Sequence, residues 1–308
     1  MQQFSKILVA VDVTDEEFGA ADGPGSAVVA LAEVVNNLRR LQDSPGQLTV
    51  MTVLAEGLPE ASAVEAAARR SLDEHFVARL EGDAEVVIKF GVPFLEVTRS
   101  VLREEHDLVA VAARHSENAE GEPGIVSQMG TQLIRKCPCP VLVAPRKTSP
   151  LGEGVILAAV GFQHGLSGHV VRLSASIAQL TEREWHVLHV PEYPLEGGMR
   201  LRGASAVEVQ SYENECREKA WKELHELTDD LALKVGIEPK LWMAEGRPSQ
   251  QIAVAESQLD ARLIVLGTIG RGGLAGVIIG NTAERTITRI KSAVLAVKPD
   301  DFICPVTL

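Results

Sequence analysis

A run of small aliphatic residues, KILVAVD from Lys6 to Asp12, returns about 150 residues later as GVILAAVG from Gly154 to Gly161. Gly91-Val-Pro93 leads into FLEVTRSVLREEH and then DLVAVAA, and Gly246-Arg-Pro248 leads into SQQIAVAESQLDA and then RLIVLGT at the same spacing. Each half closes on one more apolar run, PVLVAP from Pro140 and AVLAVKP from Ala293. An internal repeat of this period means that one folding unit occurs twice, so whatever architecture suits one half must suit both.

The apolar runs are too short and too β-branched for helices, whereas SAVVALAEVVNNLRRL from Ser26 and SAVEAAARRSLDEHFVARL from Ser62 carry apolar residues at three-and-four spacing. Pro93 and Pro248 suit the first turn of a helix, where a missing N–H costs nothing. Each half therefore reads strand, helix, strand, helix, strand, helix, strand, helix, strand, the pattern of an α/β doubly wound parallel sheet of five strands. In the second half the corresponding helices are SGHVVRLSASIAQL and a long helix from about Ser205 to Lys234. Pro150, Gly152 and Gly154 mark the joint, which places the two tandem domains at residues 1–149 and 150–308. PEYPLEGGMRLRG, Pro191 to Gly203, breaks the pattern and reads as a loop over one edge of the second sheet.

Composition agrees with sheets covered on both faces: 45% of residues are hydrophobic but only 4% aromatic. A net charge of -12, spread over both halves, opposes binding to nucleic acid or anionic lipid. No apolar stretch approaches the roughly 18 residues of a membrane helix, and the N-terminus lacks a signal pattern. Cys137, Cys139, Cys216 and Cys304 form no CxxC pair and no disulfide framework, which suits a cytoplasmic protein with reduced thiols.

In open sheets of this class ligands lie at the carboxyl ends of the strands, where strand order reverses. After the fourth strand of the second half comes GTIGRGGLAGVIIGNTAERTITRI, with Gly267, Gly270 and Gly280 spaced G-x2-G-x9-G. Such glycines let backbone N–H groups approach an anion, and the next helix turns its positive end to the same point. Thr268, Arg271, Gly272, Asn281 and Thr282 complete the candidate set, Arg271 as a charged donor and Asn281 and Thr282 as side-chain partners for phosphate oxygens. The same glycines would also suit a plain surface turn. No GK[ST] follows, and the glycines come after the fourth strand rather than the first, so the loop is neither a P-loop nor a Rossmann fingerprint.

With its order of elements, its Gly-x-Pro before the third helix and its G-x2-G-x9-G loop, the whole chain resembles the universal stress protein family, in its tandem form. LIRKCPCPVLV, GNTAERTI and the tail KPDDFICPVTL add to the likeness. The resemblance implies an adenine nucleotide alpha hydrolase-like fold, and two halves paired through their last strands into a pseudo-dimer, with a further homodimer left open. It also implies an adenine nucleotide ligand, ATP with Mg, held in the second half for regulation of a stress response. ATP-binding members have Ser or Thr after the loop and Asp at the end of strand one; here Asn281 takes the first place, and the Asp is present as Asp12 but replaced by Gly161 in the second half. In the first half Ala112, His115 and Ser127 stand where the three loop glycines would be. The alternative is a tandem scaffold whose pockets hold another metabolite, an acyl ligand or a partner protein.

Other constellations point less clearly to chemistry. His164, His169, His186 and His189 suggest a metal cluster, but His186 and His189, three apart on a strand, face opposite ways. Cys137 and Cys139 read as small apolar packing. Without a nucleophile elbow or an assigned water-activating base, the expectation is a binding protein, with hydrolysis slow at best rather than a catalytic activity.

Overall fold

The computed structural model describes residues 4–14, 18, 27–40, 46–113, 116–117, 123–124, 127–144, 154–162, 165–268, 280–299 and 301–308. In the first half the order is β1 (Lys6–Ala10), α1 (Ala27–Arg40), β2 (Gln47–Leu54), α2 (Ala61–His75), β3 (Glu85–Phe90), α3 (Pro93–Glu104) and β4 (Leu108–Ala112). A two-residue ladder of β5 (Ser116–Glu117) and β6 (Pro123–Gly124) follows, then α4 (Gln128–Lys136) and β7 (Val141–Ala144). The second half runs β8 (Val155–Val160), α5 (Ser167–Thr181), β9 (Trp185–His189), α6 (Glu196–Leu201), α7 (Ala206–Val235), β10 (Lys240–Met243), α8 (Pro248–Leu259), β11 (Ala261–Gly267), α9 (Asn281–Ile287) and β12 (Ala293–Val297).

The repeat is physical as well as textual. Both α3 and α8 have 12 residues, begin with proline in the first turn and end on an acidic residue in the left-handed region, Glu105 at φ 57° and Asp260 at φ 52°. The residue two before each proline, Gly91 or Gly246, has φ of 142° or 117°, which side chains on L-residues rarely allow. That conformation is why both copies carry glycine there.

The ten strands form one sheet in the order β10-β9-β8-β11-β12-β7-β4-β1-β2-β3. Within each half of this sheet the strand pairs are parallel, and the first strand of the half lies between its second and its fourth. Strand order thus reverses beside β1 and again beside β8. The only antiparallel pair in this sheet is β7 with β12, in register Val143↔Val294, Leu142↔Leu295 and Val141↔Ala296. The expected pseudo-dimer through the last strands is therefore observed.

Alternation along the strands sorts the core into two layers. Ile7, Val9, Leu142, Leu263 and Leu295 face α1, α2, α5 and α7, while Leu8, Val109, Val141, Ile264 and Val294 face α3, α4, α8 and α9. Both layers run without interruption across the junction. Leu142 and Leu295 are almost wholly buried, and each such side chain stabilises by about 1.5–3 kcal/mol. The half-exposed Arg135–Glu284 pair between α4 and α9, at 2.9 Å, contributes at most about 1 kcal/mol. Apolar burial, not the ion pair, holds the halves together.

The expected loop at Pro191 to Gly203 is corrected by the structure: Glu196–Leu201 is helical, with Glu196 and Arg200 paired one turn apart. Turn residues in the segment masked that short helix. It stands beside α7, which at 30 residues is twice the length of its counterpart α2, 15 residues, and opens with a capping box between Ser205 and Glu208.

At the junction Lys298, which follows β12, sends its ammonium to the carbonyl ends of α4, donating to the oxygens of Ile134 and Arg135 and lying 4.7 Å from the centre of the Phe302 ring. The tail beyond it follows the first half: Cys304 Sγ lies 3.2 Å from the Lys136 oxygen, and Arg99 Nε donates to Thr307 O at 3.4 Å. Burial pulls the Lys298 pKa down to about 8, partly opposed by Cys137, Cys304 and Cys139. Between pH 8 and 10.5 the unfolded chain then binds a proton that the folded chain lacks, so this group makes stability rise as pH rises. Cys139 and Cys304, whose pKa values are raised, act in the opposite direction. Comparison with Lys298→Met isolates the lysine: in urea denaturation the stability of the wild type relative to K298M should improve by about 2 kcal/mol from pH 7 to pH 10.

Candidate functional site

Where strand order reverses in the second half, β8 and β11 lie side by side and the chain leaves their carboxyl ends toward opposite faces of the sheet, the place where ligands lie in sheets of this class. Gly267 is the last residue of β11. Thr268 is buried, and both its N–H and its Oγ1 donate to the Val297 carbonyl, at 3.0 and 3.2 Å. At the far end of the loop Gly280 N donates to Thr268 O at 2.8 Å, and Gly280 forms the N-cap of α9. Both ends of the glycine-rich segment are thus tied to the carboxyl ends of β11 and β12. Thr282 is exposed in the first turn of α9, its carbonyl accepting from Thr286 Oγ1 at 2.7 Å. Gly270, Arg271 and Gly272 lie outside the described residues, as does the side chain of Asn281. Helix α9 has only 7 residues, so any anion here must rely on the backbone and side chains of the loop more than on a long helix dipole.

One contact was not visible in the sequence. A Cβ built on Gly267 would lie 2.2 Å from Leu166 Cδ2 and 2.9 Å from Leu166 Cγ. Leu166 is 5% exposed and stands at the start of α5. A leucine packed across the first glycine of the loop would therefore have to shift to admit any side chain there. Gly161, in the place of the family's Asp, has open space beside its Cα and accepts a 2.6 Å hydrogen bond from Ser167 Oγ on its carbonyl.

The first half repeats the stitching with different residues. Ala113 N donates to Ala144 O at 2.8 Å, as Thr268 N does to Val297 O. Ser127 caps α4, its Oγ accepting from Gly130 N at 3.0 Å. Asp12 Oδ1 accepts from Thr14 N and Thr14 Oγ1, at 3.0 and 2.6 Å, and so turns the chain after β1. His115 lies outside the described residues. Between the ends of β1 and β4 and the starts of α1 and α4 there is a cavity of about 340 Å³, bordered by Val11, Asp12, Val28, Ala112, Ala113 and Gln132. A wider hollow of about 600 Å³ lies at the opposite, amino ends of β9 and β10, bordered by Glu182, Arg183, Glu184 and Lys240. It is shallow, and Lys240 and Glu184 already pair across it at 2.7 Å.

His164 lies outside the described residues, and the other histidines and the Cys137–Cys139 pair have structural partners. His189 holds the Val160 carbonyl through Nδ1 at 2.9 Å and packs 4.3 Å from the Phe162 ring. His186 meets Glu184 at 3.1 Å, accepts from Trp242 Nε1 at 2.8 Å and stacks on that indole. Burial lowers both pKa values, which favours the neutral rings. His169 Nδ1 reaches the Lys298 carbonyl at 3.0 Å. Cys137 and Cys139 are buried with their sulfurs 3.5 Å apart, and the hydrogen bond between them, with burial, pushes the Cys139 thiol well up.

Comparison with known proteins places this geometry. The Universal stress protein family profile matches residues 154–298. Universal stress protein E of Salmonella typhi is 30% identical over 232 residues, covering 72% of this chain and 70% of that protein. The chain belongs to the universal stress protein family. Universal stress protein E of Photorhabdus laumondii is 25% identical over 312 residues, covering 99% of this chain and 98% of its own. Among solved structures, a universal stress protein from Archaeoglobus fulgidus superposes over 96% of this chain and 98% of its own, with a TM-score of 0.66 at 16% identity. The fold is thus shared with that protein over nearly the whole chain.

The Leu166 contact has a direct test. Gly267→Ala should destabilise the chain by about 1–3 kcal/mol, because a buried leucine must leave its rotamer to admit the methyl group. In the double variant with Leu166→Ala, the added methyl should cost less than about 0.5 kcal/mol relative to Leu166→Ala alone, read from urea midpoints at constant slope.

Proposed function

We infer that this universal stress protein binds an adenine nucleotide, as ATP with Mg, in its second half, and that the ligand regulates a cytoplasmic stress response rather than undergoing turnover. The observation that carries this reading is the glycine-rich segment between Thr268 and Gly280, tied at both ends to the carboxyl ends of β11 and β12 beside the strand-order reversal. A loop anchored in this way offers backbone N–H groups to an anion without depending on net charge. Gly267, Thr268 and Gly280 supply the frame, and Gly270, Arg271, Gly272, Asn281 and Thr282 supply the donors. Turnover is not assigned because the sequence around the loop offers backbone donors and Arg271 but no assigned water-activating base.

A second reading, a tandem scaffold for a non-nucleotide ligand, is favoured by Gly161 in the place of the family's Asp and by Leu166 lying across Gly267.

Calorimetry with ATP and Mg²⁺ on the full chain decides between them. One nucleotide should bind per chain, and Gly270→Val should weaken it by about tenfold or more by denying the backbone its approach to phosphate. Asp12→Asn should leave the affinity unchanged. Unaltered affinity in G270V, or a matching loss in D12N, would take the nucleotide out of the second half.

A further inference from the structure

With the last strands of the two halves already paired to each other, the ten-stranded sheet has two free edges, β3 and β10. They are unequal. Strand β10 has four residues, and within the chain its Trp242 stacks on His186 and its Lys240 pairs with Glu184. Strand β3, EVVIKF, has six; Glu85 is exposed and the other five are only partly buried, whereas six of the eight residues of the neighbouring β2 are buried.

Hydrogen bonding shows which groups of β3 face outward. Gly91 N donates to Leu54 O at 2.9 Å, and amides alternate in direction along a strand. The odd-numbered residues of β3 therefore bond to β2, while Val86, Ile88 and Phe90 turn their N–H and C=O groups to the open edge. Arg69 Nη2 reaches that edge at Val86 O, 3.3 Å away, and the carbonyl keeps a second lone pair for another donor. Side chains alternate between the faces: Glu85, Val87 and Lys89 share one, with Val87 packed on the core layer of α3, while Val86 packs on the layer of α1 and α2.

A lysine on an edge strand ordinarily guards it against pairing. Here the lysine has a complement. Glu85 and Lys89 lie roughly 13 Å apart along the strand, too far to pair with each other. Neither has an ion-pair partner among the described residues. In a second copy laid antiparallel, with the two-fold axis at Val87, the partner's Lys89 stands opposite Glu85 and the partner's Glu85 opposite Lys89. The same register sets Val86 against the partner's Ile88 as a pair that exchanges both outward hydrogen bonds. Moving the axis to Glu85 or to Lys89 brings like charges together, so the two charges select the register.

We propose that β3 is a self-association edge, through which two copies of this chain join antiparallel about a two-fold axis at Val87, with main-chain bonds between Val86 and Ile88 and two Glu85–Lys89 pairs between the copies. The contact is isologous. One strand from each copy buries less than the roughly 1,600 Å² of a standard stable interface, so the dimer is reversible and concentration-dependent. It uses neither the β7–β12 junction nor the glycine-rich loop, and it does not rest on the nucleotide reading.

Sedimentation velocity on the full chain should show a monomer–dimer equilibrium between about 1 and 300 µM. Glu85→Lys and Lys89→Glu should each weaken the dimer by about tenfold, since each sets two like-charged pairs across the contact. The double variant E85K/K89E, with the charges exchanged, should return to within about threefold of the wild type. An equimolar mixture of the two single variants should associate more strongly than either alone, because each charge then meets its opposite on the other chain. Ile88→Pro removes an outward N–H that no strand of the same chain uses, and it should abolish the dimer while circular dichroism stays unchanged. The charge variants alter exposed or half-exposed side chains and test the contact whether or not I88P folds. A chain that stays monomeric up to about 300 µM, a dimer that both single charge variants leave intact, or a double variant that fails to recover would each overturn the proposal.

Discussion

The antiparallel pairing of β7 with β12 is the interaction on which the rest of the molecule depends. Each half by itself would end in an open strand edge made of buried aliphatic residues, a surface prone to pair with any other exposed strand. Joining the two edges removes both and merges two sheets into one, so that Leu142 and Leu295 become interior residues of a shared core. The remaining edges, β3 and β10, lie at the far ends of the sheet.

Because the pairing is antiparallel, the carboxyl end of β12 meets the amino end of β7, and the carboxyl ends of the strands in the two halves point to opposite ends of the sheet. Lys298 sits at that crossing. Its carbonyl holds His169 in the first turn of α5, while its ammonium closes the carbonyl end of α4 in the first half. Helix α4 in turn starts at the first-half chamber, with Ser127, Met129 and Gln132 on its lining side. A single residue thus makes main-chain and side-chain bonds to a helix of each half. Its lowered pKa is the electrostatic consequence of placing an ammonium where two helices, a strand end and the tail exclude water.

Much of the fold was legible because it is encoded over short spans. The G-x-P signal predicted the starts of α3 and α8, since it depends on one positive φ and one fixed φ within three residues. Alternation between apolar runs and amphipathic stretches predicted the parallel halves. The short helix α6 was hidden because glycine and proline neighbours outweighed its four-residue Glu196–Arg200 spacing. At the candidate site, the glycine spacing marked the segment between Gly267 and Gly280, but it did not separate glycines needed by a ligand from glycines needed by a neighbour. Gly267 belongs at least to the second kind, because Leu166, far away in the chain, occupies the space its side chain would take.

By itself, then, the sequence determined the repeat, the class of sheet, the helix starts and the position of the glycine-rich loop, all of which follow from local dihedral preference and from periodicities of two and of three to four residues. Only the tertiary structure decided where an apolar chamber stands open, which loop end a leucine covers, and how Lys298 ties one half to the other. Those outcomes depend on volumes and hydrogen bonds between residues distant in the chain. Ala112 and Gly267 occupy equivalent places in the repeat, yet the space beside one is open and the space beside the other is filled.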